Sequence, residues 1–168
     1  PDARLGRGRK GFYLGYRTVF LTDIEGFPLG HLEAPLNVNE KQLVEPLLDR
    51  VLGECIELEL LAADSQFESQ SLFQLLESLK ISHIIAWRRL KSRENPPDVL
   101  TVKDRIDVEG PEWKRRVYKR LRAVVEGFNG RVKSCLAYGR LTWQGLENAS
   151  IHVSLVLMVA YAVCIAAY

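Results

Sequence analysis

Residues 56–87 read IELELLAADSQFESQSLFQLLESLKISHIIAW, and this passage decides the fold. IELELLAA (56–63) opens with apolar–acidic alternation and ends as an unbroken apolar run. That pattern predicts a strand whose second half is buried on both faces. Between about 68 and 80, Leu72, Leu75, Leu76 and Leu79 recur at helical spacing, and ISHIIAW (81–87) reads as a second strand. Strand, helix and strand in this order predict a βαβ unit with parallel strands. Asp64 follows the first strand directly, at the carboxyl edge where open α/β sheets place functional groups. A carboxylate there can hold a divalent cation, because Mg²⁺ sites use one or two carboxylates plus substrate phosphates. The plainer reading is a solvated acid in a strand-to-helix turn.

Upstream, FYLGYRTVFLT (12–22) is aromatic and β-branched, Asp23-Ile24-Glu25-Gly26 supplies turn chemistry, and FPLGHLEAP (27–35) returns. A β-hairpin is predicted. Asp23 belongs to that turn and is not taken as a catalytic acid. Asn39, with Gln42 three residues on, caps a helix over about 40–52 whose stripe is Leu43, Leu47, Leu48 and Val51. Pro46 is expected to kink or shorten it. Residues 88–111 carry Pro96, Pro97 and Gly110 among many charges and read as an excursion with one short strand at 98–103. A helix then runs from Glu112 to about Ala137, weakened at Gly127, Asn129 and Gly130, and a last one from Leu146 to the end. These elements amount to an α/β fold with a mixed sheet.

A chain of 168 residues has room for one compact domain or slightly more. With 47% hydrophobic and 26% charged residues it is neither a disordered tail nor a fibre. Cys55, Cys135 and Cys164 are too few and too scattered for a zinc site or a disulfide scaffold, and read as reduced thiols of a cytoplasm-like compartment. His31, His83 and His152 show no triad order or metal-ligand spacing and read as structural. Gly6, Gly8 and Gly11 lack the preceding strand that a phosphate-binding loop needs.

The net charge of +2 conceals a strong asymmetry. Residues 18–87 hold three basic and twelve acidic side chains, whereas residues 88–140 hold fifteen basic and seven acidic ones. The basic block is a candidate phosphate-binding surface, since Lys and Arg release counterions from nucleic acid. Within it, Tyr118, Arg122, Glu126 and Lys133 fall at about 0°, 40°, 80° and 60° around a helix, one narrow stripe. A carboxylate bracketed by Arg and Lys suits a metal-plus-phosphate site, the acid holding the cation and the bases the DNA backbone. An ordinary Arg122–Glu126 pair one turn apart fits the same spacing.

The block VYKRLRAVVEGFNGRVK (117–133) resembles the signature of insertion-sequence transposases of the DDE class. Arg122-x3-Glu126-x6-Lys133 matches that family's spacing, with Tyr118 one residue further from the Arg than the family's Tyr. Asp64-Ser65-Gln66-Phe67-Glu68-Ser69 is similar to its second-acid block, Asp-Ala-Gly-Tyr-Asp-Ser. Pro1-Asp2-Ala3-Arg4, Gly15-Tyr16-Arg17, Gly26-Phe27-Pro28-Leu29 and Pro35-Leu36-Asn37 look like its hairpin and following turn. The resemblance implies an RNase H-like catalytic core in which three acids bind two Mg²⁺ (or Mn²⁺) ions. Such cores cut double-stranded DNA at transposon ends and join the 3′-hydroxyl to a target, as a homodimer on DNA in the cytoplasm. It makes Asp64 and Glu126 the second and third acids and metal ligands, and it places Arg122, Lys133 and Tyr118 on the DNA. The family's first acid precedes the equivalent of Pro1. The expectation is therefore a single N-terminally truncated catalytic domain, lacking its first catalytic strand and its DNA-binding region, and inactive alone.

Two other classes compete. Residues 151–168 (IHVSLVLMVAYAVCIAAY) approach transmembrane length, and Arg131, Lys133 and Arg140 precede them, as in a tail-anchored membrane protein with a basic cytoplasmic domain. Against it, no charge follows the run, and a core helix can be this apolar. The third reading is a nucleic-acid-binding remnant without metal chemistry.

Overall fold

The computed structural model describes residues 2–8, 11–85, 111–135 and 144–166. The excursion expected at 88–110, its strand at 98–103 and the strand end at 86–87 lie outside the described residues. The described elements are β1 (Arg4–Gly8), β2 (Gly11–Thr22), β3 (Pro28–Pro35), α1 (Val44–Gly53), β4 (Leu60–Ala63), α2 (Gln70–Ser78), β5 (Ser82–Ile85), α3 (Glu112–Cys135) and α4 (Leu146–Ala166). The fold is α/β. Among the described residues antiparallel and parallel pairings both occur, in two sheets, β1-β2-β3 and β4-β5. Two compact units result, Pro1–Ile56 with Val124–Tyr168, and Glu57–Ala123.

In the first unit, β2 and β3 pair antiparallel from Tyr16↔Pro35 to Phe20↔His31 and beyond. The hairpin turn is built by Asp23, whose Oδ1 accepts the N–H groups of Glu25 (2.9 Å) and Phe27 (2.7 Å). Gly26 completes it at φ +86°, a conformation that a side chain would strain. Asp23 is thus a turn residue, as its local chemistry predicts. The glycine-rich opening, in contrast, forms a strand: β1 pairs with β2 from Arg4↔Gly15 to Gly8↔Gly11. Gly6 lets this strand approach Leu36, whose Cγ would lie 2.5 Å from a Cβ at that position.

Asn39 caps a 3₁₀ turn (Glu40–Leu43) through Lys41 N–H, and α1 follows from Val44. Pro46 falls in the first turn of α1, where its missing N–H costs nothing, so the change from 3₁₀ to α winding replaces the expected kink. Leu47, Leu48 and Val51 are buried. A Cβ on Gly30 would lie 2.7 Å from Val51 Cγ2, so β3 approaches α1 as closely as only glycine permits.

The apolar α4 buries Ala149, Val153, Val156, Leu157 and Ala160 and leaves Leu155, Met158, Val159 and Val163 exposed. By length and a mean hydropathy of 2.2 it could cross a membrane. One face of it packs on Phe128 and Val132 of α3, with Phe20 and Tyr161 at the margin. Tyr161 donates to Pro28 O (2.6 Å) and Ser154 Oγ lies 3.4 Å from His31 Nε2, while His31 Nδ1 meets Glu33 Oε1 at 2.8 Å. His31 is accordingly structural, as expected.

The N-terminus of α4 is capped from far away in sequence. Asp2 Oδ2 accepts Leu146 N–H (2.6 Å), Asp2 Oδ1 accepts the Tyr16 hydroxyl (2.8 Å), and Tyr16 Oη accepts Gly145 N–H (3.0 Å). These donors, Leu146 first and Tyr16 second, hold the Asp2 carboxyl below its ordinary 3.8. A depressed carboxyl stabilises the fold when ionised, so its contribution is present above the ordinary value and disappears as the pH falls through the folded one. Asp2→Ala is expected to lower the thermal midpoint at pH 7. That gap should narrow as the pH falls below about 4. A gap independent of pH between about 3 and 7 would show that Asp2 acts by packing and not by charge.

In the second unit, β4 and β5 pair parallel, Leu60↔Ser82 through Ala63↔Ile85, around α2. This is the predicted βαβ unit. The first strand is four residues, not eight: the parallel register starts at Leu60↔Ser82, with Ser82 N–H donating to Glu59 O (2.9 Å) at its edge. Burial on both faces does not extend along it either: Leu61 is buried but Leu60 is 38% exposed. Leu72 and Leu76 of α2 are buried with Ile81, Ile84 and Ile85. Helix α2 ends with Lys80 at φ 57°, Lys80 N–H on Glu77 O and Ile81 N–H on Leu76 O, a Schellman ending that turns the chain into β5.

Candidate active site

Asp64 occupies the carboxyl end of β4, exposed, at the edge of the parallel pair. Its Oδ1 accepts Ser65 N–H (2.6 Å) and lies 3.3 Å from Ser65 Oγ, capping the short 3₁₀ turn Ser65–Phe67. Oδ2 stands outside these bonds. Five residues later Ser69 caps α2 by accepting Leu72 N–H (3.3 Å). The block 64–69 therefore has two fixed acceptors: an acid that ends the strand and a serine that begins the helix. Between them, Gln66 and Phe67 fill the turn.

Helix α3 is unbroken over 24 residues, so Tyr118, Arg122, Glu126 and Lys133 lie on one side of it, within about 80°. Arg122, Glu126 and Lys133 are exposed and Tyr118 is half-buried. Gly127 and Gly130 do not interrupt the helix, since Phe128 (2% exposed) and Val132 (1% exposed) anchor that turn on α4. The Phe128 ring meets Phe20 edge-on at 5.4 Å. Phe128 and Val132 had not been singled out from sequence; their i, i+4 spacing within 124–133 was the available signal. Tyr118 and Arg122 fall in the Glu57–Ala123 unit with Asp64, and Glu126 and Lys133 in the other.

A model of one protein family, the transposase DDE domain, matches residues 1–162. The chain belongs to this transposase family. No curated protein and no solved structure matches it. The match spans both acids and the whole Arg122–Lys133 stripe, and the DDE transposases act on DNA with divalent metals. Among the described residues no group of three or more His, Cys, Asp or Glu side chains could hold a metal ion by itself. Hard divalent cations are held by oxygen donors such as carboxylates and substrate phosphates. Asp64 and Glu126 are hard oxygen donors of this kind.

Proposed function

We propose that this domain is part of the catalytic core of a transposase that performs metal-dependent cleavage and strand transfer on double-stranded DNA at insertion-sequence ends, on an RNase H-like scaffold and as a homodimer in the cytoplasm. Asp64 and Glu126 are its second and third acids. The observation that carries the proposal is the family match across a chain whose Arg122-x3-Glu126-x6-Lys133 spacing lies on one side of α3.

The Asp64 and Glu126 carboxylates would hold Mg²⁺ or Mn²⁺, and a cation bound there would supply Lewis-acid stabilisation of the charge on the attacking and leaving oxygens. Arg122 and Lys133 bind non-bridging phosphate oxygens and keep the phosphorus in line, with Tyr118 beside them. In cleavage, water attacks phosphorus, the P–O3′ bond breaks, and a 3′-hydroxyl and a 5′-phosphate result. In transfer, that hydroxyl attacks a target phosphate and displaces the target's own 3′-oxygen. The test is incubation of the full-length transposase with a duplex carrying the ends of its element. Nicked and joined products are expected with Mg²⁺ or Mn²⁺ and none with EDTA; products that persist in EDTA would overturn the proposal.

Lys133→Ala should weaken binding about equally for end and scrambled duplexes, because a phosphate contact carries no base information. The slope of log K against log salt should become shallower by about 0.9. A loss confined to one sequence in fluorescence anisotropy would reassign Lys133 to base recognition.

A further inference from the structure

The first three turns of α3 hold six cations, Lys114, Arg115, Arg116, Lys119, Arg120 and Arg122, against one acid, Glu112. With Glu112 at 0°, Lys119, Arg116 and Arg120 fall at about 340°, 40° and 80°, and all three are exposed. Val117 and Leu121, at about 140° and 180°, are half-buried. Arg116 and Arg120 are four residues apart, about 6 Å along the axis. Glu112 occupies Arg116: its Oε1 accepts Nε (3.1 Å) and Nη2 (2.7 Å). Among the described residues no ion pair engages Lys119 or Arg120. Trp113, 57% exposed with Lys114 Nζ 5.8 Å from its ring centroid, borders the arc.

We infer that Arg116, Lys119 and Arg120 form a second, sequence-independent contact for the duplex backbone, and that Glu112 restrains it by holding Arg116. Arg116 and Arg120 lie about 80–140° around α3 from Glu126 and Lys133, while Lys119 borders that stripe, and the arc contains no metal-binding acid. A rigid helix carrying cations one turn apart suits a regular line of phosphates. A lipid surface fits it less well, because the half-buried Val117 and Leu121 offer no free apolar face to insert. The inference rests on the transposase reading for the identity of the polyanion.

The experiment is anisotropy of a labelled duplex of arbitrary sequence between about 50 and 200 mM KCl, in EDTA so that no metal contributes. Lys119→Gln/Arg120→Gln is expected to make the salt slope shallower by about 1.8, the loss of two phosphate contacts. Glu112→Gln is expected to act in the opposite direction, tightening binding and steepening the slope by up to about 0.9 as Arg116 is released. Circular dichroism of each variant shows that α3 persists. Wild-type slopes in both variants would overturn the inference even where Glu126→Gln abolishes cleavage. The expected shifts together with an active Glu126→Gln enzyme would uphold the arc and reject the catalytic assignment instead. Unchanged duplex binding with loss of binding to phosphatidylserine vesicles would also overturn it.

Discussion

Glu126→Gln is expected to leave the transposase folded and to reduce strand cleavage by at least about 10²–10³-fold, the loss seen when one group facing developing charge is removed. The amide matches the carboxylate in shape but cannot supply the negative charge that holds a hard cation. Because Glu126 is exposed on α3, the substitution removes no core contact, and stability should change by no more than about 0.5 kcal/mol. Cleavage is read on a denaturing gel with the element's ends as substrate, and stability by urea unfolding. The pairing of intact fold with absent product is diagnostic. Cleavage at the wild-type rate would remove Glu126 from the site.

The second large effect is on the support of that site. Phe128 is two residues beyond Glu126 and points about 200° away from it, into the cluster with Val132, Val153, Val156, Leu157 and Ala160. Phe128→Ala removes a ring that is 2% exposed and loses the edge-on contact with Phe20, a change expected to cost about 3–5 kcal/mol. Since a domain's whole stability is about 5–15 kcal/mol, the variant should be near its limit at 37 °C. Cleavage should fall with it, because the turn bearing Glu126 loses its anchor on α4. Phe128→Leu, which keeps most of the apolar volume, should recover much of both. An alanine variant that unfolds at the wild-type urea concentration would show that α3 is held elsewhere.

The sequence carried the βαβ unit clearly, and for physical reasons. Leu72 and Leu76 mark a helical period, and Ser69 and Asp64 are polar acceptors where helix and turn begin. Strand lengths were less legible, because a strand extends only as far as its neighbour. Ile56–Glu59 alternate properly yet precede the β4–β5 register, although Glu59 O accepts Ser82 N–H, whereas Arg4–Gly8 look too glycine-rich and still pair, since the long β2 offers them a template. The Asp2–Tyr16–Leu146 cap joins residues up to 144 apart, and no local pattern announces it. The Glu126 stripe was readable because one helix fixes the angles between its residues. The proposed partnership of Asp64 with Glu126 rests on the family's motif spacing, because no local pattern ties the two residues together.

That partnership is the centre of the proposed chemistry, and anomalous scattering measures it directly. Crystals of the transposase grown with Mn²⁺ and a duplex of the element's end should show a manganese peak within about 2.2 Å of a carboxylate oxygen of both Asp64 and Glu126, with phosphate oxygens completing the shell. A peak bound to one of them alone, with the other carboxylate turned to a different face, would contradict the shared site and the catalysis derived from it.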